Sequence, residues 1–91
     1  MPEIQTTPEG KACLNVGCGG AYFPEWTNCD LLPGRQVVGH DLREPLPWGA
    51  AVFDAVYSSH MLEHLPPAVG RELLAEQVRV LKPGGVCRVV A

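Results

Sequence analysis

The chain has no cluster of lysines or arginines: seven basic residues stand against ten acidic ones, a net charge of -3. Such a balance offers no positive field to a phosphate backbone, which argues against nucleic acid as a partner. No apolar run approaches the ~20 residues needed to span a membrane, and residues 1–11 are polar, without the apolar core of a secretory signal. The four cysteines, at 13, 18, 29 and 87, form no C-x-x-C pair and no zinc spacing. These absences predict a cytoplasmic chain with reduced thiols and no membrane anchor. At 91 residues the chain allows one domain of modest stability.

What is present is organised around glycine. Leu14-Asn15-Val16-Gly17-Cys18-Gly19-Gly20 is a short apolar run that ends abruptly in a glycine cluster. A buried strand opens onto a ligand-binding loop in this way, because glycine reaches positive φ and lets a ligand approach bare backbone. Asp30 ends a second apolar run and Asp41 a third. Three strand-like segments, each finishing in a residue able to hold a nucleoside, predict one crevice at the carboxyl ends of a parallel sheet.

Residues 1–11 read as a flexible leader. Strands are expected at Ala12 to Val16, within Trp26 to Leu32, at Gln36 to His40, at Phe53 to Ser58 and at Val86 to Ala91. Arg43 to Ala50 reads as a loop, with Trp48 packing over the sheet edge. Pro67 to Leu81 is the clearest helix, with proline placed where the first N–H groups have no internal partner. Leu74, Val78 and Leu81, widened by Leu73, predict its buried stripe, and Lys82-Pro83-Gly84-Gly85 should stop it. Cys13 and Cys87 lie in apolar runs, where cysteine behaves as a small hydrophobe. Cys18 is the one cysteine placed to line a site. Apolar strands alternating with loops or helices predict an α/β fold with a parallel sheet.

Five ordered blocks then carry a resemblance: LNVGCGG at 14–20, NCDLLP at 28–33, HDLREPLPW at 40–48, FDAVYSSHMLEHL at 53–65 and RVLKPGGVCRVV at 79–90. Over residues 12–91 the chain resembles the class I S-adenosylmethionine-dependent methyltransferases, in particular the type 11 methyltransferase domain. The resemblance implies a Rossmann-like sheet of about five strands and S-adenosyl-L-methionine as cofactor. It implies that Gly17, Cys18, Gly19 and Gly20 wrap the methionine end, with Asn15 nearby. Asp30, followed by Leu31, would hold the ribose, Asp41 and Leu42 would lie beside the adenine, and Ser58, Ser59 and His60 would face the cofactor.

Three departures from the family stand out. Ten residues separate Gly19 from Asp30, too few for a full helix. Asn15 stands where many relatives carry an acid, so it brings no charge to the cofactor's ammonium. The family's fold also continues past the fifth strand into a helix and a hairpin, so an incomplete domain is expected here. Its apolar edge strand would be open to self-association.

Two other readings compete with an intact methyltransferase acting on an acceptor of unknown identity. One is a cofactor-binding remnant without independent catalysis. The other is a zinc hydrolase, because His60-Met61-Leu62-Glu63-His64 matches H-x-x-E-H, which on a helix would set both imidazoles on one face with Glu63 as base. Pro66-Pro67 follows at once and leaves little room for such a helix. His60 or His64 could also serve as general base toward the methyl acceptor.

Overall fold

The structure is a computed structural model and describes residues 1–19 and 22–90. Among the described residues five strands form one sheet: β1 (Cys13–Val16), β2 (Thr27–Asp30), β3 (Val37–Gly39), β4 (Phe53–Ser59) and β5 (Leu81–Val90). Their order is β3-β2-β1-β4-β5, and every neighbouring pair is parallel. The expected Rossmann-like parallel sheet is therefore present. Strand β1 lies at its centre and is buried at all four positions, three of them apolar and the fourth, Asn15, hydrogen-bonded to Asn28. From β1 the chain moves outward through β2 to β3, then crosses back to β4 on the other side. This reversal creates a crevice between the carboxyl ends of β1 and β4.

One α-helix, α1 (Pro67–Val80), packs on one face of the sheet, preceded by a single 3-10 turn at Leu62–His64. Leu14, Val16, Cys29, Val56 and Phe53 form the core with Leu73 and Val80 of α1. The buried stripe differs from the expected one. Gly70, Leu73, Gln77 and Val80 face inward, whereas Leu74 and Val78 are 37% and 62% exposed. Two contacts set this rotation. Gly70 comes close to Leu62, where an added Cβ would sit 4.0 Å from both its side chain and its carbonyl. On the other side, Arg79 donates to the Leu46 and Trp48 carbonyls (3.1 and 2.9 Å) while Glu76 accepts the Leu46 N–H at 2.7 Å. The loop is thus clasped to the polar flank of the helix, and a buried glutamine takes an apolar position.

Trp48 is not at the sheet edge. It is buried edge-on against Phe53, 5.4 Å between centroids, and donates its indole N–H to the Pro2 carbonyl at 3.1 Å. Residues 1–11 touch the domain again where the Gln5 N–H meets Thr27 Oγ1 at 3.0 Å and where Ile4 packs on the core. Cys87 is exposed rather than buried, because it lies on the edge strand; its thiol reaches Gln77 Oε1 at 3.7 Å. Cys13, Cys18 and Cys29 are buried.

Helix α1 passes directly into β5 at Leu81, one residue short of the expected end. Leu81 pairs with Phe53, and pairing resumes at Val86 opposite Ala55. Between them the strand bulges around Gly85, where an added Cβ would lie 2.8 Å from the Asp54 carbonyl. Asp54 secures the same end, accepting the Ala12 N–H at 2.8 Å and the Lys82 ammonium at 3.4 Å. Both contacts hold its carboxyl below the usual carboxylate range, the backbone bond more strongly.

Candidate functional site

Strand alternation decides which side chains reach the crevice. Asn15 pairs in register with Asn28 and with Tyr57, so these three share a face. Two residues on from Tyr57, Ser59 lies on the same side. Asn15, Gly17, Cys18, Phe23, Tyr57 and Ser59 line a cavity of about 190 Å³ at the carboxyl ends of β1 and β4. Asn15 donates its amide to Asn28 Oδ1 at 3.1 Å and is almost wholly buried.

The glycine loop turns tightly over β2. Gly17 and Cys18 both direct their N–H groups to the Cys29 carbonyl, at 2.8 and 3.3 Å. Gly17 has φ +70°, and an added Cβ would lie 2.4 Å from Met61 Cγ, so this position tolerates only glycine. The Gly19 N–H donates to Asp30 Oδ2, and the Leu31 N–H donates to Asp30 Oδ1 at 2.6 Å. Asp30 thus ties the loop to the end of β2. An ionised carboxylate offers about four acceptor positions, so roughly two remain for hydroxyls of a ligand. Gly20 lies outside the described residues.

Burial holds the thiols of this region in their neutral form. The Cys29 thiol is pushed up to about 12, chiefly by desolvation, with the Cys18 and Asp30 charges adding to it. Cys18 is raised for the same first reason, and then by Asp30. Neither is set up as a nucleophile.

A second cavity of about 170 Å³ opens beside Leu31 and is lined by Leu31, Asp41, Leu42, Arg43 and Leu65. It is apolar except for one ion pair. Arg43 grips Asp41 with Nη2 at 2.9 Å, Nε at 3.1 Å and its own backbone N–H at 3.0 Å. The side-chain bonds from Arg43, then its backbone bond, hold the Asp41 carboxyl down to about 2. Asp30 is bonded to Leu31, which lines this second cavity, and to Gly19, which follows Cys18 of the first.

The remaining expected residues divide. Ser59 lines the first cavity, but Ser58 does not. It alternates onto the α1 face with Val56, is buried, and its hydroxyl has no partner among the described residues. His60 is exposed at φ +52°, its N–H donating to the Val90 carbonyl at 2.6 Å and its Nδ1 lying 3.4 Å from Glu63. His64 is also exposed, at the end of the 3-10 turn. Neither imidazole lines either cavity. The H-x-x-E-H residues share no α-helix, because only Leu62–His64 are helical and Pro66 ends the turn. Among the described residues no three His, Cys, Asp or Glu side chains converge as a metal site.

Phe23, Tyr57, Arg43 and Leu65 belong to the two cavities and escaped the sequence reading. Tyr57 was within reach, since strand alternation from Ser59 places it on the same face. Phe23 and Leu65 follow from turns whose course the local sequence does not reveal.

A parallel sheet of order 3-2-1-4-5, with its cavity at the reversal and an acid at the end of β2, defines the class I S-adenosylmethionine-dependent methyltransferase fold. Residues 36–89 match the methyltransferase domain family, and the chain belongs to that family. An uncharacterized methyltransferase of Synechocystis sp. is 41% identical over 99 aligned positions, covering 89% of this chain and 47% of that protein. An uncharacterized methyltransferase of Mycobacterium sp. (strain KMS) is 30% identical over 102 positions, covering 90% of this chain and 39% of that one. The chain therefore spans less than half the length of these curated relatives.

Two solved structures share the fold. One is described as a methyltransferase in complex with the Haloferax volcanii Trm112 methyltransferase activator. It has a TM-score of 0.67 and 20% identity, with 91% of this chain and 46% of that one covered. The other, from Methanococcus maripaludis, is described as an S-adenosyl-L-methionine-dependent methyltransferase. It has a TM-score of 0.60 and 16% identity, with 86% and 48% covered. Among the described residues no helix is long and apolar enough to cross a membrane.

Proposed function

We propose that this domain binds S-adenosyl-L-methionine across the carboxyl end of its sheet and serves methyl transfer from it to an acceptor. The observation that carries this reading is that Asp30 bonds both Leu31, which lines the apolar cavity, and Gly19, which follows Cys18 of the polar one, at the carboxyl end of the sheet. The ligand the reading requires has the same order of parts: a zwitterionic amino-acid end, a ribose diol and a flat purine.

The residues present fit those parts. Asn15, Cys18 and Ser59 offer small polar groups to the amino-acid end. Asp30 keeps acceptor positions for the diol, in charge-assisted bonds worth about 1.5–3 kcal/mol each. Leu31, Leu42 and Leu65 give the purine apolar contact, and Asp41 can accept from an exocyclic amine at their rim. When bound, the sulfonium supplies an already activated methyl group. The chain's own task is then to bind, orient and exclude water, with no general base required for a sulfur or nitrogen acceptor. The exposed positions of His60 and His64 agree with that division of labour.

Calorimetric titration of S-adenosyl-L-methionine into the purified chain tests this reading. Saturable heat is expected, with affinity falling at least tenfold in Asp30→Ala, about 1.4 kcal/mol. A folded chain that gives no saturable heat overturns it.

A further inference from the structure

Beside the cofactor cavity lies a larger groove, about 410 Å³, lined by Phe23, Pro24, Glu25 and Trp26. We propose that it is a binding subsite for an alkylammonium group, a tertiary or quaternary amine held on aromatic faces against a carboxylate. This inference stands independently of the cofactor reading.

The groove is built on a rigid turn. The Trp26 N–H donates to the Phe23 carbonyl at 3.0 Å and closes it. Asn28, 1% exposed, secures both ends: it accepts the Phe23 N–H at 2.9 Å and donates to the Phe23 and Trp26 carbonyls at 2.8 and 3.1 Å. A buried amide with three bonds to one four-residue turn fixes its shape in advance of any ligand.

The rings are fixed as well. Phe23 meets Trp26 edge-on at 5.0 Å and 74°, and Tyr57 backs both at 5.9 and 6.5 Å. The cluster is supported from beneath by Tyr57, yet Phe23 remains 37% exposed. Glu25 lies in the middle of the turn, exposed, with no ion pair or hydrogen bond to another described residue. An unpaired carboxylate among aromatic faces repels anions and adds a Coulomb attraction that a neutral ligand does not gain. Both features favour a cation, since ring faces and carboxylate present the same sign of charge. Alkylation of the cation lowers its hydration, so less water must be given up on binding. Phe23 lines both this groove and the cofactor cavity, so a group seated here lies against the wall of the cofactor site.

The test uses choline and its neutral carbon isostere, 3,3-dimethyl-1-butanol, titrated into the full chain at constant ionic strength. The readout is the two indole N–H resonances, assigned by a Trp26→Phe spectrum. The expected result is a saturable choline shift of the Trp26 signal with Trp48 unmoved, and at least fivefold weaker binding of the isostere. Glu25→Gln, at an exposed position that cannot disturb the fold, should weaken choline at least threefold. Equal affinity for choline and isostere, no saturable shift at Trp26, or an unchanged affinity in Glu25→Gln each overturns the proposal. S-adenosyl-L-homocysteine titrated in a separate arm reports on the cofactor cavity, so failure of either reading is seen without the other.

Discussion

The backbone N–H of Gly19 donates to the carboxylate of Asp30, eleven residues later, so the glycine loop is held by the residue that ends the next strand. One side chain therefore both ends the strand and shapes the loop. Asp30→Ala, which removes both acceptor oxygens, should keep a folded sheet while speeding hydrogen exchange of the Gly19 and Leu31 amides by at least tenfold. Exchange measured residue by residue checks this, and unchanged protection at both amides would show that the carboxylate is not what holds the loop.

Gly17 tolerates no side chain, for two separable reasons: its φ of +70° and the approach of Met61. Gly17→Ala should destabilise the chain by about 3 kcal/mol, combining left-handed backbone strain with overpacking. Adding Met61→Ala should recover the steric share and leave the backbone share. Denaturant unfolding of the two single variants and the double variant separates them. Strict additivity would contradict the contact.

Arg79 ties α1 to the Leu46–Trp48 loop while Glu76 accepts from both, at 2.7 and 2.8 Å for the Arg79 Nε and Nη2. Arg79→Met leaves the Leu46 and Trp48 carbonyls and the Glu76 carboxylate without that partner. A loss of about 2 kcal/mol is expected, which in a domain of this size lowers Tm by roughly 10 °C. Glu76→Gln with Arg79→Met should cost less than the sum of the two. Thermal unfolding of the four-member cycle decides it.

Three carboxyls titrate below their ordinary range in the folded chain. Arg43 lowers Asp41 to about 2, the Ala12 N–H chiefly lowers Asp54, and Arg79 chiefly lowers Glu76. A depressed acid binds fewer protons folded than unfolded, so its stabilisation is complete above the unfolded value near about 4. It is lost as pH falls through the folded value. Tm should therefore be level from neutrality to about pH 5, then drop steadily toward pH 2. Asp54→Asn should flatten part of that slope, and a Tm that rises on acidification would contradict the assignment.

Much of the fold was legible because β1 is largely apolar and runs into Gly17, while β2 ends in Asp30. Val16-Gly17 and Cys29-Asp30 mark strand ends by chemistry that the structure uses directly. The rotation of α1 was not legible. Leu73 and Leu74 are adjacent, and Val78 and Val80 support either stripe; only the contacts of Gly70 with Leu62 and of Arg79 with the Trp48 loop choose between them. Burying Gln77 rather than Leu74 runs against hydrophobicity and has no local signal. In the site, Asn15, Gly17, Cys18 and Ser59 lie together in one cavity, and Leu31, Asp41 and Leu42 in the other. Ser58 fell on the wrong side because strand parity, not adjacency, decides which serine faces the crevice. The positive φ of His60, which turns it out toward solvent, follows from the chain's exit from β4 beside Val90 and is invisible in composition.

The central claim is that one ligand spans both cavities past Asp30, and residue-resolved NMR during titration with S-adenosyl-L-homocysteine tests it most directly. Shifts are predicted together at Gly17, Cys18, Gly19, Asp30, Leu31, Asp41, Leu42 and Ser59, with Lys11, Gly84 and Gly85 at the opposite end of the sheet unmoved. Shifts confined to the opposite end, or a folded chain with no saturable shifts at all, would contradict it.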